Sequence, residues 1–349
     1  MSKILLYTDC HFSQYSSIIR KRGKKYSQRL ENLIQSINWV ENLSHNTFCD
    51  IVVCLGDFFD KPELNAEEIT AMQEIEFDMR VPHYFIVGNH ESNVSDLLFS
   101  STKYLGSKNN FKIIDKPLEW TINSDTDLYF LPYILEEDRK NLSYYLNNND
   151  KKKIVFSHND IKGIRYGKFE SKEGFDLTDI ESNCDLFING HLHNGNFLND
   201  KETILNLGNL TGQNFSEDSY KYSHYACILD TKTLELTFYE NPFAFNFYKL
   251  DINEEQEFSK LYALKNNAVV TIRCEESLVE TLRNTLNSIS NIVDYRVISY
   301  KKEHSGEQGK IDSTSLNNID YLEQFTDFIL NHIGSDEIVK EELSAIIGG

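Results

Sequence analysis

Short, continuous apolar runs recur along the first half of the chain, and polar or turn-forming residues bound each of them. Runs of this length are typical of strands that are buried on both faces of a sheet. Between the first runs, apolar residues follow helical spacing over residues 30–40 and 66–75, and a third helix is predicted over residues 95–105. This alternation of strand and helix predicts a mostly parallel sheet. The runs occupy residues 4–7, 51–55, 84–87, 154–156 and 186–188.

A second group of segments, after residue 110, makes this part of the chain richer in predicted strands. Together with the first group it predicts an α/β fold in which two sheets form a β-sandwich flanked by helices, over residues 1–246. The runs of this group occupy residues 113–114, 120–122, 128–130, 206–211 and 225–229.

The pattern changes after residue 247. A strand over residues 268–274, a helix over 276–289 and a strand over 292–300 predict a small α+β capping domain, residues 247–302, on the main domain. Residues 303–318 are polar and are predicted to be a linker.

The last segment, residues 319–349, shows two apolar stripes at helical spacing and is predicted to form a helical hairpin. The hairpin has too few residues for a core of its own, so it either folds back on the body or binds a partner. The stripe residues are Leu322, Phe325, Ile329, Ile333, Leu343 and Ile347.

Each of the five runs in the first group is followed by a short polar motif. Because strand ends in open α/β sheets gather ligands, these motifs are expected along one edge of one sheet. Any one of these motifs alone would more often be a turn, or contain a surface or core histidine without a functional role. The five, however, occur together and in order. They are Asp9-Cys10-His11, Gly56-Asp57, Gly88-Asn89-His90-Glu91, Ser157-His158-Asn159 and Gly190-His191-Leu192-His193.

The donors in these motifs are carboxylate and amide oxygens and imidazole nitrogens, which suit manganese, iron or zinc. Seven donors are too many for one ion, and one carboxylate could be shared between two. The motifs therefore predict a two-metal site, an arrangement that clamps the attacking and leaving oxygens in phosphoester hydrolysis.

The order D-x-H, G-D, G-N-H-[DE], H and G-H-x-H resembles that of the calcineurin-like metallophosphoesterase superfamily, over residues 1–240. The resemblance implies two divalent ions, with manganese the first expectation and magnesium, iron or zinc as alternatives. It implies His90 as general acid, with Glu91 orienting and supporting it. It also implies the metal ligands: Asp9, His11, Asp57 and His193 for one ion, and Asp57, Asn89, His158 and His191 for the other.

Composition bears on partners and location. The chain has 349 residues, of which 40% are hydrophobic, and no window approaches the 18 consecutive apolar residues of a membrane span. A strand, instead of a basic and apolar leader, is expected at the N-terminus. These features predict a cytoplasmic protein without a membrane partner, in the host cytoplasm if it is phage-encoded. The net charge of −19 argues against a nucleic-acid partner.

One short stretch is strongly basic although the chain as a whole is acidic, and it is called the basic segment below. Its cations directly follow the first motif, where they could bind DNA phosphates or form an ordinary solvated surface. They are Arg20, Lys21, Arg22, Lys24 and Lys25.

The appended cap, linker and helical tail resemble those of SbcD-type DNA repair and recombination nucleases and their phage counterparts. That resemblance implies a DNA exonuclease on double-stranded ends and endonuclease on single strands. It also implies a homodimer within a heterotetramer, whose tails bind an SbcC-type ATPase. Those nucleases usually carry Asp at the position of Glu91, whereas protein Ser/Thr phosphatases carry Glu there, as this chain does. The Arg-Gly that such phosphatases place after the second motif is, however, missing from this chain.

Two other functions remain open from the sequence. A protein phosphatase or nucleotide phosphodiesterase would use the same metals but would give the basic segment and the tail no role. A non-catalytic scaffold that only anchors an ATPase would be expected to have lost metal ligands, whereas all seven are present.

Overall fold

The computed structural model describes residues 2–16, 18–19, 21–93, 96–107, 109–166, 169–217 and 219–301. The predicted linker 303–318 and the helical tail 319–349 lie outside these residues, as does Arg20. Within the described part of the chain, no helix has both the length and the apolar character that crossing a membrane requires.

The described residues form nineteen strands and five α-helices. In chain order the strands are β1 (Lys3–Tyr7), β2 (Ile51–Cys54), β3 (His83–Ile86), β4 (Ser92–Asn93), β5 (Asp96–Ser100), β6 (Phe111–Ile114), β7 (Leu118–Asn123), β8 (Thr126–Leu131), β9 (Lys152–Ser157), β10 (Arg165–Tyr166), β11 (Phe169–Glu170), β12 (Leu186–Asn189), β13 (Asn196–Phe197), β14 (Ile204–Asn206), β15 (Tyr225–Asp230), β16 (Leu236–Glu240), β17 (Asn246–Ile252), β18 (Ala268–Glu275) and β19 (Ile292–Tyr300). The helices are α1 (Gln28–Asn46), α2 (Ala66–Met72), α3 (Leu177–Asn183), α4 (Ser259–Tyr262) and α5 (Val279–Ser288). Short 3-10 helices cover Ser101–Ser107, Leu142–Tyr144, Glu255–Phe258 and Glu276–Leu278.

Two six-stranded sheets form the main body. The first has the order β16-β15-β1-β2-β3-β6, with β1, β2, β3 and β6 parallel and β15 antiparallel to β1. The second has the order β13-β14-β12-β9-β8-β7, with its four central strands parallel. These sheets confirm the predicted α/β class.

Alternation along each strand explains the layering. Ile4 and Leu6 of β1 share a buried cluster with Phe156 of β9, so this cluster lies between the two sheets. The intervening Leu5 and Tyr7 point to the opposite face, where they share a second cluster with the apolar side of α1. Both faces of the central strands are therefore covered, which is why their sequences are continuously apolar.

The cap contains one strand more than the sequence predicted. Strands β17, β18 and β19 form a wholly parallel three-stranded sheet, and α5 packs on it within a separate apolar core. A small additional cluster joins the cap to the body through Ile19, Phe245, Phe247 and Val269. The cap is therefore attached to the segment that follows the first polar motif.

The predicted helix over residues 95–105 is wrong. Asp96–Ser100 is a strand that pairs with Ser92–Asn93, and the next turns form a 3-10 helix. Three consecutive apolar residues, 97–99, fit neither side of an amphipathic helix, and pairing with β4 satisfies the backbone of β5 instead.

Candidate metal centre

All five polar motifs lie at one end of the sandwich, but they do not follow strands of a single sheet. The first three follow β1, β2 and β3 of the first sheet, and the last two follow β9 and β12 of the second. The prediction of one edge of one sheet is therefore wrong. Face-to-face packing brings the ends of both sheets together, so the donors converge from two sides.

Backbone strain accompanies this convergence. Asp9, His11, Asp57 and His191 all have left-handed φ angles, between 46° and 75°. Such conformations are unfavourable for residues with a Cβ and gather at functional sites, where surrounding contacts enforce them. Close approach explains the glycine of the third motif, because a Cβ at Gly88 would lie 2.1 Å from Asp57 Oδ1.

The first group of donors consists of Asp9, His11 and His193. The two imidazoles face each other with 3.2 Å between their Nε2 atoms, and His11 Nε2 lies 3.7 Å from Asp9 Oδ1. His11 Nε2 is also 3.8 Å from Asp57 Oδ2. Cys10 lies between two of these donors in sequence but belongs to the hydrophobic core.

The second group consists of Asp57, His158, His191 and Asn89. His158 Nε2 lies 3.2 Å from Asp57 Oδ2, and His191 Nδ1 lies 3.0 Å from Asn89 Oδ1. Because Asp57 Oδ2 faces both groups, it occupies the position of a shared ligand. The structure thus brings together all seven predicted metal donors.

The chemistry of this donor set fits divalent metal ions. Among the described residues, the buried atom Asp9 Oδ1 has no hydrogen-bond partner, although unpaired buried polar atoms are rare, and the buried His158 Nε2 faces the Asp57 carboxylate. His158 Nδ1 donates to the Leu55 carbonyl at 2.8 Å, so Nε2 is the nitrogen that faces the other donors. Asp9, His11 and His193 could hold one ion, and Asp57, His158 and His191 the other.

The ionisation of the donor side chains shows how strongly these groups interact. Burial alone would lower the pKa of His11, but the hydrogen bond to Asp60, followed by interactions with Asp9 and Asp57, raises it to about 10. Burial also opposes charge on His158, yet the charge of Asp57 and its hydrogen bond raise the pKa to about 9. Two imidazoles therefore hold protons at neutral pH, in the positions that metal ions would take.

The pKa values of the carboxylates shift in the opposite direction. Burial would raise the pKa of Asp9, but the close approach of the His11 imidazole and the charge of His158 hold it at about 2. The charge of His158, followed by its hydrogen bond and by His11, likewise outweighs burial and holds the pKa of Asp57 far below its ordinary value. Both carboxylates are ionised and ready to bind cations.

His90 stands at the open side of the centre. Its side chain is 50% exposed, and its ring packs edge-on against the His11 ring with 4.7 Å between centroids. Its backbone N–H donates to Asp57 Oδ1 at 3.0 Å, which holds the backbone of His90 beside the metal donors. Burial is the main cause that lowers the pKa of His90, and Asp57 partly offsets it.

Glu91 is placed differently from its predicted role. Its carboxylate accepts hydrogen bonds from the backbone N–H groups of Phe59 at 3.0 Å and Gly88 at 2.9 Å. Both oxygens therefore brace the loops that carry the second and third motifs instead of supporting the His90 ring. The carboxylate nearest that ring is Asp60, whose Oδ1 lies 4.0 Å from His90 Nδ1. Burial, followed by the charge of Asp57, raises the pKa of Glu91 to about 8.

Three carboxylates that the sequence reasoning missed bind the outer nitrogens of the metal-facing imidazoles. Asp60 lies 3.2 Å from His11 Nδ1, Asp160 3.2 Å from His191 Nε2, and Glu217 3.2 Å from His193 Nδ1. Such outer acceptors fix the tautomer and orientation of metal-binding histidines. Asp60 and Asp160 lie within three residues of a predicted ligand, which is a usable signal, whereas Glu217 has none.

The basic segment is largely ion-paired within the protein. Lys21 Nζ donates to the Val293 carbonyl at 2.8 Å and lies 3.5 Å from Asp294, so it ties the segment to the cap. Arg22 pairs with Glu67 at 2.7 Å. Two further residues of the segment are described: Lys25 pairs with Glu74, and Lys24 is exposed.

A cleft of about 560 Å³ opens beside the fifth motif, and His191 and His193 form part of its wall. Its volume lies within the range that is typical of ligand-binding clefts. None of its described lining residues is a lysine or arginine. The wall also includes Gly163, Ile164, Leu192, Asn194, Asn196, Phe197, Leu198, Ser216, Glu217 and Tyr222.

Residues 2–195 match the family of calcineurin-like phosphoesterases, and this match covers more than half of the 349-residue chain. The chain therefore belongs to that family and is a phosphoester hydrolase of the dimetal type. The comparison with curated proteins gave no match.

Three solved structures resemble parts of the chain. A dimetal phosphatase from Danio rerio is 14% identical with a TM-score of 0.38, over 65% of this chain and 91% of that one. The calcineurin-like phosphoesterase YfkN from Bacillus subtilis is 12% identical with a TM-score of 0.35, over 68% and 88%. A protein serine/threonine phosphatase from Saccharomyces cerevisiae, with similarity to human phosphatase PP5, is 10% identical with a TM-score of 0.35, over 68% and 80%.

Proposed function

We propose that the protein is a metal-dependent DNA nuclease of the SbcD type. It would act as an exonuclease on double-stranded ends and as an endonuclease on single strands, in DNA repair or recombination. The observation that carries this proposal is the cap. It follows the phosphoesterase domain and attaches, through Ile19 and Lys21, to the segment directly after the first metal motif. An appended unit at that place can guide a polymeric substrate, whereas a small ester needs no such guide.

The residues of the centre divide the chemistry between them. Two divalent ions bound here, with manganese the first candidate, would polarise the phosphate and favour ionisation of the attacking water. His90 is exposed beside the donors and would give a proton to the leaving oxygen. Asp60 lies close enough to the His90 ring to favour its protonated form. Glu91 would hold the second and third motifs in place and act only indirectly.

The basic segment would contribute DNA contacts by exchanging partners. Its described salt bridges are at the surface, where an ion pair adds about 1 kcal/mol or less to stability. Phosphates could therefore replace Asp294 and Glu67 as the partners of Lys21 and Arg22 without a large loss of stability. The predicted tail would bind an SbcC-type ATPase, and the assembly would contain two copies of each subunit.

The experiment is a Mn²⁺-dependent cleavage assay with three substrates: linear double-stranded DNA, circular single-stranded DNA and bis-p-nitrophenyl phosphate. Parallel reactions contain p-nitrophenyl phosphate and a phosphoserine peptide as monoesters. The Asp57→Asn variant is the control for contaminating nucleases, because it removes the shared ligand. Cleavage of both DNA substrates by the wild-type chain alone is the expected result.

A second function has one observation in its favour. The described wall of the cleft has no lysine or arginine, and three cations of the basic segment are already paired. A phosphatase or nucleotide phosphodiesterase would need neither cations in the cleft wall nor unpaired cations in the basic segment. Rapid hydrolysis of a monoester or the phosphopeptide, with intact DNA in the same buffer, would establish that function and exclude the nuclease.

A further inference from the structure

One segment behind the metal centre has no counterpart among the five motifs. Residues 209–217, called the rear segment here, lie beyond the family match, which ends at residue 195. The rear segment nevertheless holds both stretches that carry the first group of donors. The backbone N–H of Asn209 donates to the His193 carbonyl at 3.2 Å, and Gln213 Nε2 donates to the Asp9 carbonyl at 3.0 Å.

Glu217 is the centre of this arrangement. Its Oε1 lies 3.2 Å from His193 Nδ1 and accepts from Asn209 Nδ2 at 3.0 Å, while its Oε2 accepts from the Gln213 N–H at 3.1 Å. The residue is only 5% exposed, so water cannot easily replace these contacts. When His193 Nδ1 donates its proton to Glu217, the lone pair of Nε2 is left to face the donors of the first group.

A buried arginine ties the same segment to α1. Arg29 is 3% exposed and donates from one nitrogen to the His11 carbonyl at 3.0 Å and to Gln213 Oε1 at 3.2 Å. The strained backbones of Asp9 and His11 are thus both held through their carbonyl groups, by Gln213 and by Arg29. Three elements that are distant in sequence converge behind one of the two metal positions.

We propose that Glu217 is a positioning residue for the metal ion held by Asp9, His11 and His193, and that the rear segment sets the affinity for that ion. This inference rests on the dimetal centre of the family and is independent of which phosphoester is hydrolysed. Asp160 has the corresponding position on the other side, where it meets the outer nitrogen of His191.

The rear segment also reaches the cap. The N–H of Gly212 donates to the Phe245 carbonyl at 3.1 Å, and the Phe215 ring packs edge-on against Phe247 with 5.1 Å between centroids. A shift of the cap would therefore displace the segment that carries Glu217. Through these contacts, the affinity for the ion held by Asp9, His11 and His193 depends on the position of the cap.

The test compares metal binding by the metal-free full chain and its variants. Mn²⁺ is titrated by calorimetry, and paramagnetic resonance distinguishes a spin-coupled pair of ions from a single ion. Glu217→Ala should lower the affinity for one ion by about 10- to 100-fold and leave the affinity for the other ion unchanged. At intermediate Mn²⁺ its spectrum should show the single ion, where the wild-type chain shows the pair. Glu217→Gln keeps an oxygen acceptor for His193 and should restore most of the lost affinity.

Two further variants separate positioning from general damage. Asp160→Ala removes the corresponding acceptor of His191 and should weaken binding of the other ion, so that Asp160→Ala and Glu217→Ala have opposite selectivity. Glu181→Gln removes a surface carboxylate that pairs with Lys201 and should change neither ion. Phe215→Ala loosens the rear segment from the cap without touching a donor, and it should weaken the same ion as Glu217→Ala by a smaller factor.

Several outcomes would overturn the proposal. Equal weakening of both ions by Glu217→Ala, or no weakening, would mean that Glu217 does not position the first ligand group. If Glu217→Ala does not unfold cooperatively on heating, Glu217→Gln and Phe215→Ala decide instead. Each should weaken binding of the first ion slightly and leave the other ion unchanged. Unchanged binding of the first ion in both variants, or an equal loss for both ions, contradicts the proposal.

Discussion

The pH dependence of metal binding follows directly from the ionisation of the metal-binding side chains. His11 and His158 have pKa values of about 10 and about 9, and each faces a different group of donors. A metal ion binds only the neutral imidazole, so each ion must displace one proton at any pH below these values. The sign is therefore fixed: affinity rises with pH, and it keeps rising until the pKa of the metal-free imidazole is reached.

The size of the effect separates this centre from one built of ordinary histidines. Between about pH 6 and about pH 8 both imidazoles stay protonated, so the affinity for each ion should rise about tenfold per pH unit, or about 100-fold in total. With the ordinary histidine pKa of about 6.5, the rise over the same interval would be only about fourfold and would end near neutrality.

Calorimetric titration of the metal-free protein with Mn²⁺ measures this in two ways. Titrations at several pH values give the slope, and titrations in buffers with different ionisation enthalpies give the number of protons released, which should be close to one per ion. Asp60→Asn removes the strongest contact that raises the pKa of His11, so it should flatten the slope for one ion only. Affinities that level off near pH 6.5 for both ions would refute the reasoning.

Four shorter predictions concern the proposed reaction and assembly. His90→Ala should keep both metal ions and lower turnover by about two to four orders of magnitude, the usual size of general-acid catalysis; loss of metal in that variant would contradict the assignment. Asp57→Asn should weaken both ions together, because a neutral amide cannot balance two cations, and elemental analysis showing two full sites would exclude a shared ligand. Neutralising the basic segment should lower the salt dependence of DNA binding by about one unit of logarithmic slope for each phosphate that is no longer bound, and an unchanged slope would make it an ordinary surface. A chain ending at Gly309 should remain folded, load metal and cleave DNA while failing to co-purify with an SbcC-type ATPase; retained association would place the partner contact elsewhere.

The strands and the metal donors could be predicted because both leave local signals. Metal ligation restricts a position to a few residue types, and the buried strand before it must be continuously apolar, as at residues 51–54 before Asp57. Each signal is contained in fewer than ten consecutive residues. The order of the motifs carries the resemblance to the phosphoesterase family, and that resemblance names the seven donors without knowledge of how the strands pair.

Strand pairing itself was only partly predictable. The strands before His158 and His191 are as apolar as those before Asp9 and Asp57, yet they belong to the second sheet. What separates the sheets is packing between distant residues, such as the stacking of Tyr84 on Phe130 with 5.2 Å between ring centroids. The periodicity of apolar residues indicates which faces of a strand are buried, but it does not indicate which other strand pairs with it.

The outer carboxylates show where local reasoning ends and why. An imidazole that binds a metal needs one acceptor about 3 Å from its second nitrogen, a requirement that any suitably placed oxygen can meet. The chain contains 54 acidic residues, so residue type hardly narrows the choice. Asp60 and Asp160 meet the requirement from within the loops that carry the ligands. Glu217 meets it only because residues 209–217 hydrogen-bond to the chain at Asp9 and His193. Its position depends on the closure of the whole sandwich, and only the structure contains that information.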